Sequence, residues 1–166
     1  MTRRRTILQV AGGLAVLLAL SLRAGADVRT AVAHVDRALQ LAFAAGATDE
    51  QVKAGFLSLL DAIVASAPEA RIPGEWPSKA AAARRLVAAG SVPDDRAVAM
   101  LHECYRNLHG GRAFRMPAAI RSISDATGYA RRQLEAARDL LLRGQREEAI
   151  RRLLDTALMI VTPFEQ

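Results

Sequence analysis

The sequence predicts an all-α fold: a compact bundle of about six helices, arranged as three αα-hairpins, following a cleaved N-terminal signal peptide. Three observations predict it. Beyond residue 26, apolar residues recur every three or four positions through nearly the whole chain. Aromatic residues are only 4% of the 166 while alanine is abundant, which suits closely approaching helices rather than a β-core of branched and aromatic side chains. Gly46, Gly90 and Gly144 each fall where one periodic segment stops and another begins.

Residues 1–26 read as an export signal. Arg3, Arg4 and Arg5 form a charged start, an apolar run extends from Ile7 to Leu22, and Ala24-Gly25-Ala26 supplies the small-x-small site a signal peptidase needs. The mature chain is expected to begin at Asp27. The run is shorter than the ~20 residues of a spanning helix and contains Gly12 and Gly13, so cleavage is expected, with membrane contact only through this segment. Within it, Arg4-Arg5-Thr6-Ile7-Leu8-Gln9 resembles the twin-arginine export motif R-R-x-F-L-K, with Ile at the Phe position and Gln at the Lys position. Arg3 stands where that family usually has Ser or Thr. Arg23 is similar to the basic residue that keeps such signals off the general secretory route. The resemblance implies export of a folded chain, and an ordinary secretory signal with three arginines is the alternative. No Cys follows the run, so a lipoprotein anchor is not indicated. The expected location is periplasmic or secreted.

Composition bounds what is exported. The formal charge of +6 includes four arginines from residues 1–26, which hold no acid, and falls to +2 without them. That is not the strongly basic footprint of a general nucleic-acid binder, and nucleic acid is excluded as a partner. About 140 residues remain, enough for one domain, 27–166. Its single cysteine cannot form an internal disulfide, so stability has to come from helix packing.

The elements follow in order. Val28, Val32, Val35, Leu39 and Ala42 place one stripe on a first helix ending near Gly46. Thr48-Asp-Glu-Gln51 is a capping box opening the second, whose buried face is Val52, Phe56, Leu59, Leu60 and Ile63. Residues 68–77 carry three prolines and a glycine and form an irregular link, pinned to the bundle by Trp76. A third helix runs from Ser78 to Ala89. Ser91-Val-Pro-Asp94 starts a fourth, ending at Gly110-Gly111 with Ala97, Leu101, Cys104 and Leu108 on its apolar side. Pro117 opens a fifth, with a seam of Ile120, Ile123, Thr127, Ala130, Leu134, Ala137 and Leu141. Ile150, Leu153, Ala157 and Ile160 define the sixth, which stops at Thr162-Pro163.

The turn Leu140-Leu-Leu-Arg-Gly-Gln-Arg-Glu-Glu-Ala-Ile150 resembles the turn inside a tetratricopeptide-type repeat, over about one hairpin. The glycine spacings are unequal and the aromatic and proline signature of that family is absent, so a compact bundle is expected rather than a solenoid. The charges on the last two helices fall at i,i+4: Arg131 with Glu135, Asp139 with Arg143, Glu147 with Arg151, Glu148 with Arg152, and Arg151 with Asp155. Their expected role is a solvated face.

Two constellations bear on chemistry. Arg106, His109, Arg112, Arg115 and Arg121 lie in a stretch without an acid, with Phe114 as an apolar contact. Gly110-Gly111 would let backbone N–H groups face a ligand, and a helix opening at Pro117 would present its positive end nearby. Carboxylate, phosphate or an acidic protein surface suits such a site, and a solvated loop docked on the protein's own acids is the alternative. The second constellation is a metal site at His102, Glu103 and His109. The residue types are right, but two histidines seven apart stand ~10 Å apart along a helix axis, so ligands from another helix, such as His34, would be needed. No nucleophile stands at a persuasive spacing from a base, and no phosphate-binding Gly-Lys motif or haem-attachment motif occurs.

The expectation is an exported binding or interaction protein acting by docking on a protein partner or an anionic ligand. A metal-binding or metal-sensing bundle using His102 and His109 is the alternative, and an enzyme with a convergent site is a third reading.

Overall fold

The computed structural model describes residues 27–90 and 92–163, and over them the chain is all-helical. The helices are α1 (27–42), α2 (Asp49–Ser66), α3 (Trp76–Ala89), α4 (Asp95–Leu108), α5 (Ile123–Leu142) and α6 (Arg146–Val161), with one 3₁₀ turn at Ala67–Glu69. The export-signal reading falls on residues 1–26, outside the described residues, as does Ser91. α3 packs along α4 and α5 along α6, while α2 lies against α3 and α6, and α4 lies against α6.

α6 is therefore the centre of a compact bundle. Its sequence shows it. Besides Ile150, Leu153 and Ala157, the side chains of Ala149, Leu154, Thr156, Leu158, Met159 and Val161 are buried, so a single stripe understates the face this helix covers. Its C-terminal half, with Thr156, Ala157, Leu158 and Met159 buried in succession, is covered on nearly every side by its neighbours. The one hydroxyl in that set is satisfied: Thr156 donates to the Arg152 carbonyl at 2.9 Å.

Small residues set the spacing between helices. Ten of the buried core residues are alanines. On α1 the buried line is Ala31, Val35 and Ala38, with Val32 and Leu39 only partly covered, so the helix is rotated toward its small side relative to the expected stripe. The reason lies in α2, where Gly55 is buried. A Cβ built there would stand 2.6 Å from both the Cβ and the backbone N of Ala42, so the close approach requires a hydrogen at position 55. α1 is also tied to α5, through Arg138 Nε to Asp36 Oδ1 at 2.8 Å and Arg131 Nη1 donating to the Phe43 carbonyl at 3.3 Å.

Local signals fix several helix starts. The Thr48–Gln51 capping box forms in both directions, at 3.3 Å and 2.9 Å. Asp94 caps α4, accepting from the N–H groups of Arg96 and Ala97 at 3.0 and 3.1 Å. α3 begins two residues earlier than the irregular link predicted, because Pro77 fits the first turn of a helix. Trp76 is 1% exposed, and its indole Nε1 donates to the Ile72 carbonyl at 3.0 Å. The link is further held to the start of α6, by Glu69 to Arg146 at 2.9 Å and by Arg71 N–H donating to Glu147 at 2.9 Å.

Two expectations are corrected. Pro117 does not open α5: it heads a turn closed by Ile120 N–H donating to the Pro117 carbonyl at 2.9 Å. The helix starts at Ile123 because Ser122 caps it, accepting from Asp125 N–H at 3.1 Å while Asp125 accepts from Arg121 N–H at 3.1 Å. Ile123 is consequently 76% exposed, and the buried seam is Ala130, Leu134, Ala137 and Leu141. The charges of α5 and α6 are not simply a solvated face either. Glu148 with Arg152 forms as expected at 3.4 Å, but Arg138 reaches α1, Arg152 also donates to Gln133 at 2.9 Å, and Asp155 faces α4.

Candidate functional site

The segment from Arg106 to Arg121 closes α4 and crosses to α5. Its base is rigid. Gly110 and Gly111 adopt φ of 62° and 87°, the left-handed region that terminates a helix, and Gly111 N–H donates to the Arg106 carbonyl at 2.7 Å. That bond removes one of the two glycine amides expected to face a ligand. The N-terminus of α5 is likewise taken up by Ser122 and Asp125, so the positive helix end expected to assist anion binding is already capped.

Aromatic rings support the loop. Tyr105 stacks on His109 with ring centroids 4.0 Å apart and planes at 18°, and Phe114 meets Tyr105 edge-on at 5.4 Å. From below, Arg151 of α6 donates to the Leu108 carbonyl at 3.1 Å and Asp155 Oδ1 stands 3.5 Å from His109 Nε2. The contact of Asp155 with His109 is not a formed ion pair. Burial first, and then the Arg151 charge, lower the His109 pKa. Burial first, and then Glu148, push Asp155 up to about 6 against the opposing pull of Arg152. Desolvation thus favours the neutral form of both groups. It also raises the Tyr105 phenol, with Asp155 adding to the effect. Tyr105, Phe114, Arg115, Tyr129, Asp155 and Met159 line a small cavity of about 150 Å³ beneath the loop.

Above this base the four arginines of the predicted site, Arg106, Arg112, Arg115 and Arg121, are all exposed. Among the described residues none of their guanidinium groups has an acid within 4.0 Å, whereas Arg84, Arg138, Arg146, Arg151 and Arg152 each do. Arg115 and Arg121 share a cavity of about 650 Å³ with Phe114, Met116 and Ile120, bounded on its far side by Thr162 and Pro163.

The residues of the metal reading have separate partners. Glu103 is paired with Lys79 of α3, whose hydrogen bond holds the carboxylate below its usual range. His102 lies against Phe114 with centroids 6.3 Å apart, its pKa lowered by burial and then by Arg106. His109 stacks on Tyr105, with Asp155 near its Nε2. Cys104 is a core thiol, donating to the Trp76 carbonyl at 3.3 Å and pushed up to about 12 by burial, far from the thiolate that binds metal. Among the described residues, His34 included, no group of three or more His, Cys, Asp or Glu is placed to hold a metal ion.

Sequence reasoning missed Asp155 and Tyr129. Asp155 sits at i+4 from Arg151 and reads as its partner, yet its neighbours Leu153, Leu154, Thr156 and Ala157 are all buried, a run that marks a largely covered position. No family model matches the chain, and no curated protein or solved structure matches it. No helix among the described residues is long and apolar enough to cross a membrane.

Proposed function

We propose that this chain is an exported helical binding protein, periplasmic or secreted, that docks a ligand or partner presenting carboxylate or phosphate groups on the loop from Arg106 to Arg121. One observation carries the reading: among the described residues none of the four guanidinium groups forms an ion pair within 4.0 Å, whereas Arg84, Arg138, Arg146, Arg151 and Arg152 do. A loop docked on the protein's own acids would look otherwise. Holding such charges on a base fixed by Tyr105, His109 and Phe114 lowers the ordering cost of binding, and arginine matches carboxylate and phosphate bidentately. The mechanism is docking, with no bond made or broken.

The test is native mass spectrometry of untagged protein from its own compartment, with melting curves in citrate and phosphate. Under this reading the mass lacks residues 1–26, the protein carries an acidic partner or anion, and the anions raise the melting temperature in the wild type but not in R112A/R115A. Unchanged melting in both proteins removes the site. A stoichiometric metal would return attention to His102 and His109.

A further inference from the structure

Beside the cavity of Arg115 and Arg121 lies an apolar trough that an anion alone would leave empty. A groove of about 490 Å³ lies where the end of α1, the start of α5 and the end of α6 meet, walled by Phe43, Val52, Ile123, Ala126, Met159 and Ile160. That volume is in the range of ligand sites. Its lining contains no charged side chain at all. One wall is Ile123, which α5 presents to solvent at 76% exposure on its first turn, although placing so large an apolar group outward gains the fold nothing.

At Thr162-Pro163 the groove adjoins the cavity of Arg115 and Arg121, since those two residues line both. The two depressions make one elongated surface, apolar at the Ile123 end and cationic at the Arg115 end. The middle keeps the same character, with Met116, Ile120 and Phe114 on the cationic side of the ridge. Arg115 has no acid within 4.0 Å among the described residues. Arg121 lines the same cavity as the second cation, although the Asp125 carboxylate, which accepts from its backbone N–H, stands near it.

We propose that this surface binds a long-chain carboxylate as a free monomer, its alkyl tail along the groove of Ile123 and its head on Arg115, with Arg121 alongside. The assignment rests on the anion-docking reading and adds the tail. Charge complementarity chooses the head and the uncharged lining chooses the tail. A neutral alkane chain would leave the arginines unused, and a short anion would leave the groove unfilled. No covalent step is involved.

The experiment is calorimetric titration of the folded mature protein with dodecanoate below its aggregation threshold, against dodecanol, acetate and citrate. Dodecanoate is expected to bind at unit stoichiometry, at least about tenfold tighter than dodecanol, with acetate silent. Ile123 is exposed, so I123S should fold normally; it is expected to weaken dodecanoate about tenfold while citrate binding stays as in wild type. R115Q is expected to bring dodecanoate down to the level of dodecanol. Dodecanoate binding no better than dodecanol, or insensitive to I123S, overturns the proposal. If citrate still binds in that case, the docking reading survives alone; if citrate also fails, both fall. Binding only to vesicles containing the fatty acid, and not to the monomer, assigns the surface to a membrane and overturns the proposal as stated.

Discussion

At the scale of single residues, Asp155 is a carboxylate held largely out of water. Its folded pKa lies above the ordinary carboxylate value of 3.8, at about 6, because ionisation beneath the loop forfeits hydration and adds to the field of Glu148. The sign follows from linkage. A raised folded pKa contributes stability below the unfolded value, and that contribution is lost as pH rises through about 6. The corresponding ceiling is about 3 kcal/mol, and because the side chain retains 29% exposure we expect about 1 kcal/mol. D155N, unable to ionise, should therefore melt closer to wild type at pH 4 and above it at pH 8, as differential scanning calorimetry would read. Tyr105, His109, Arg151, Arg152 and Glu148 surround the carboxylate, so a gap that stays constant with pH would mean they neutralise it. Nothing in local spacing announces this. The i,i+4 pattern joins Asp155 to Arg151, and only the packing of α4 on α6 turns it toward His109.

At the scale of elements, the helix starts and crossings make separate predictions. Ser122 carries the first turn of α5, so S122A should cost about 1 kcal/mol in urea unfolding, whereas P117A, in the turn that precedes the helix, should cost much less. Equal effects would place the helix start back at Pro117. At the α1–α2 crossing, G55A puts a methyl 2.6 Å from the Ala42 backbone and should destabilise by about 1–3 kcal/mol despite alanine's better helix propensity. A neutral or stabilising result would show that α1 moves aside. Ser91-Val-Pro-Asp94 and Pro117 point to helix starts earlier than the caps that form, Asp94 and Ser122, but the Thr48-Gln51 capping box was legible in the sequence because it satisfies amides within one turn. The face of α1 was not, since Val28, Val32 and Leu39 are more apolar than Ala31 and Ala38, and the choice falls to the small side only through Gly55 on another helix.

For the whole molecule, Trp76 joins the irregular link to the core and is the chain's only tryptophan. W76A should cost about 3–5 kcal/mol, and in wild type its fluorescence should change in one transition coincident with circular dichroism. Separate transitions would divide the bundle into independently unfolding parts. The all-helical architecture and the pinning role of Trp76 were legible, since both follow from composition and periodicity. The loop arginines were legible as a group of charges, but the apolar groove beside them arises from contacts among α1, α5 and α6 that no spacing along one chain encodes. The central place of α6 carries a temporal meaning. During synthesis α2, α4 and α5 emerge from the ribosome before the helix they pack on, so the nascent chain keeps an unfinished core until that last helix is made.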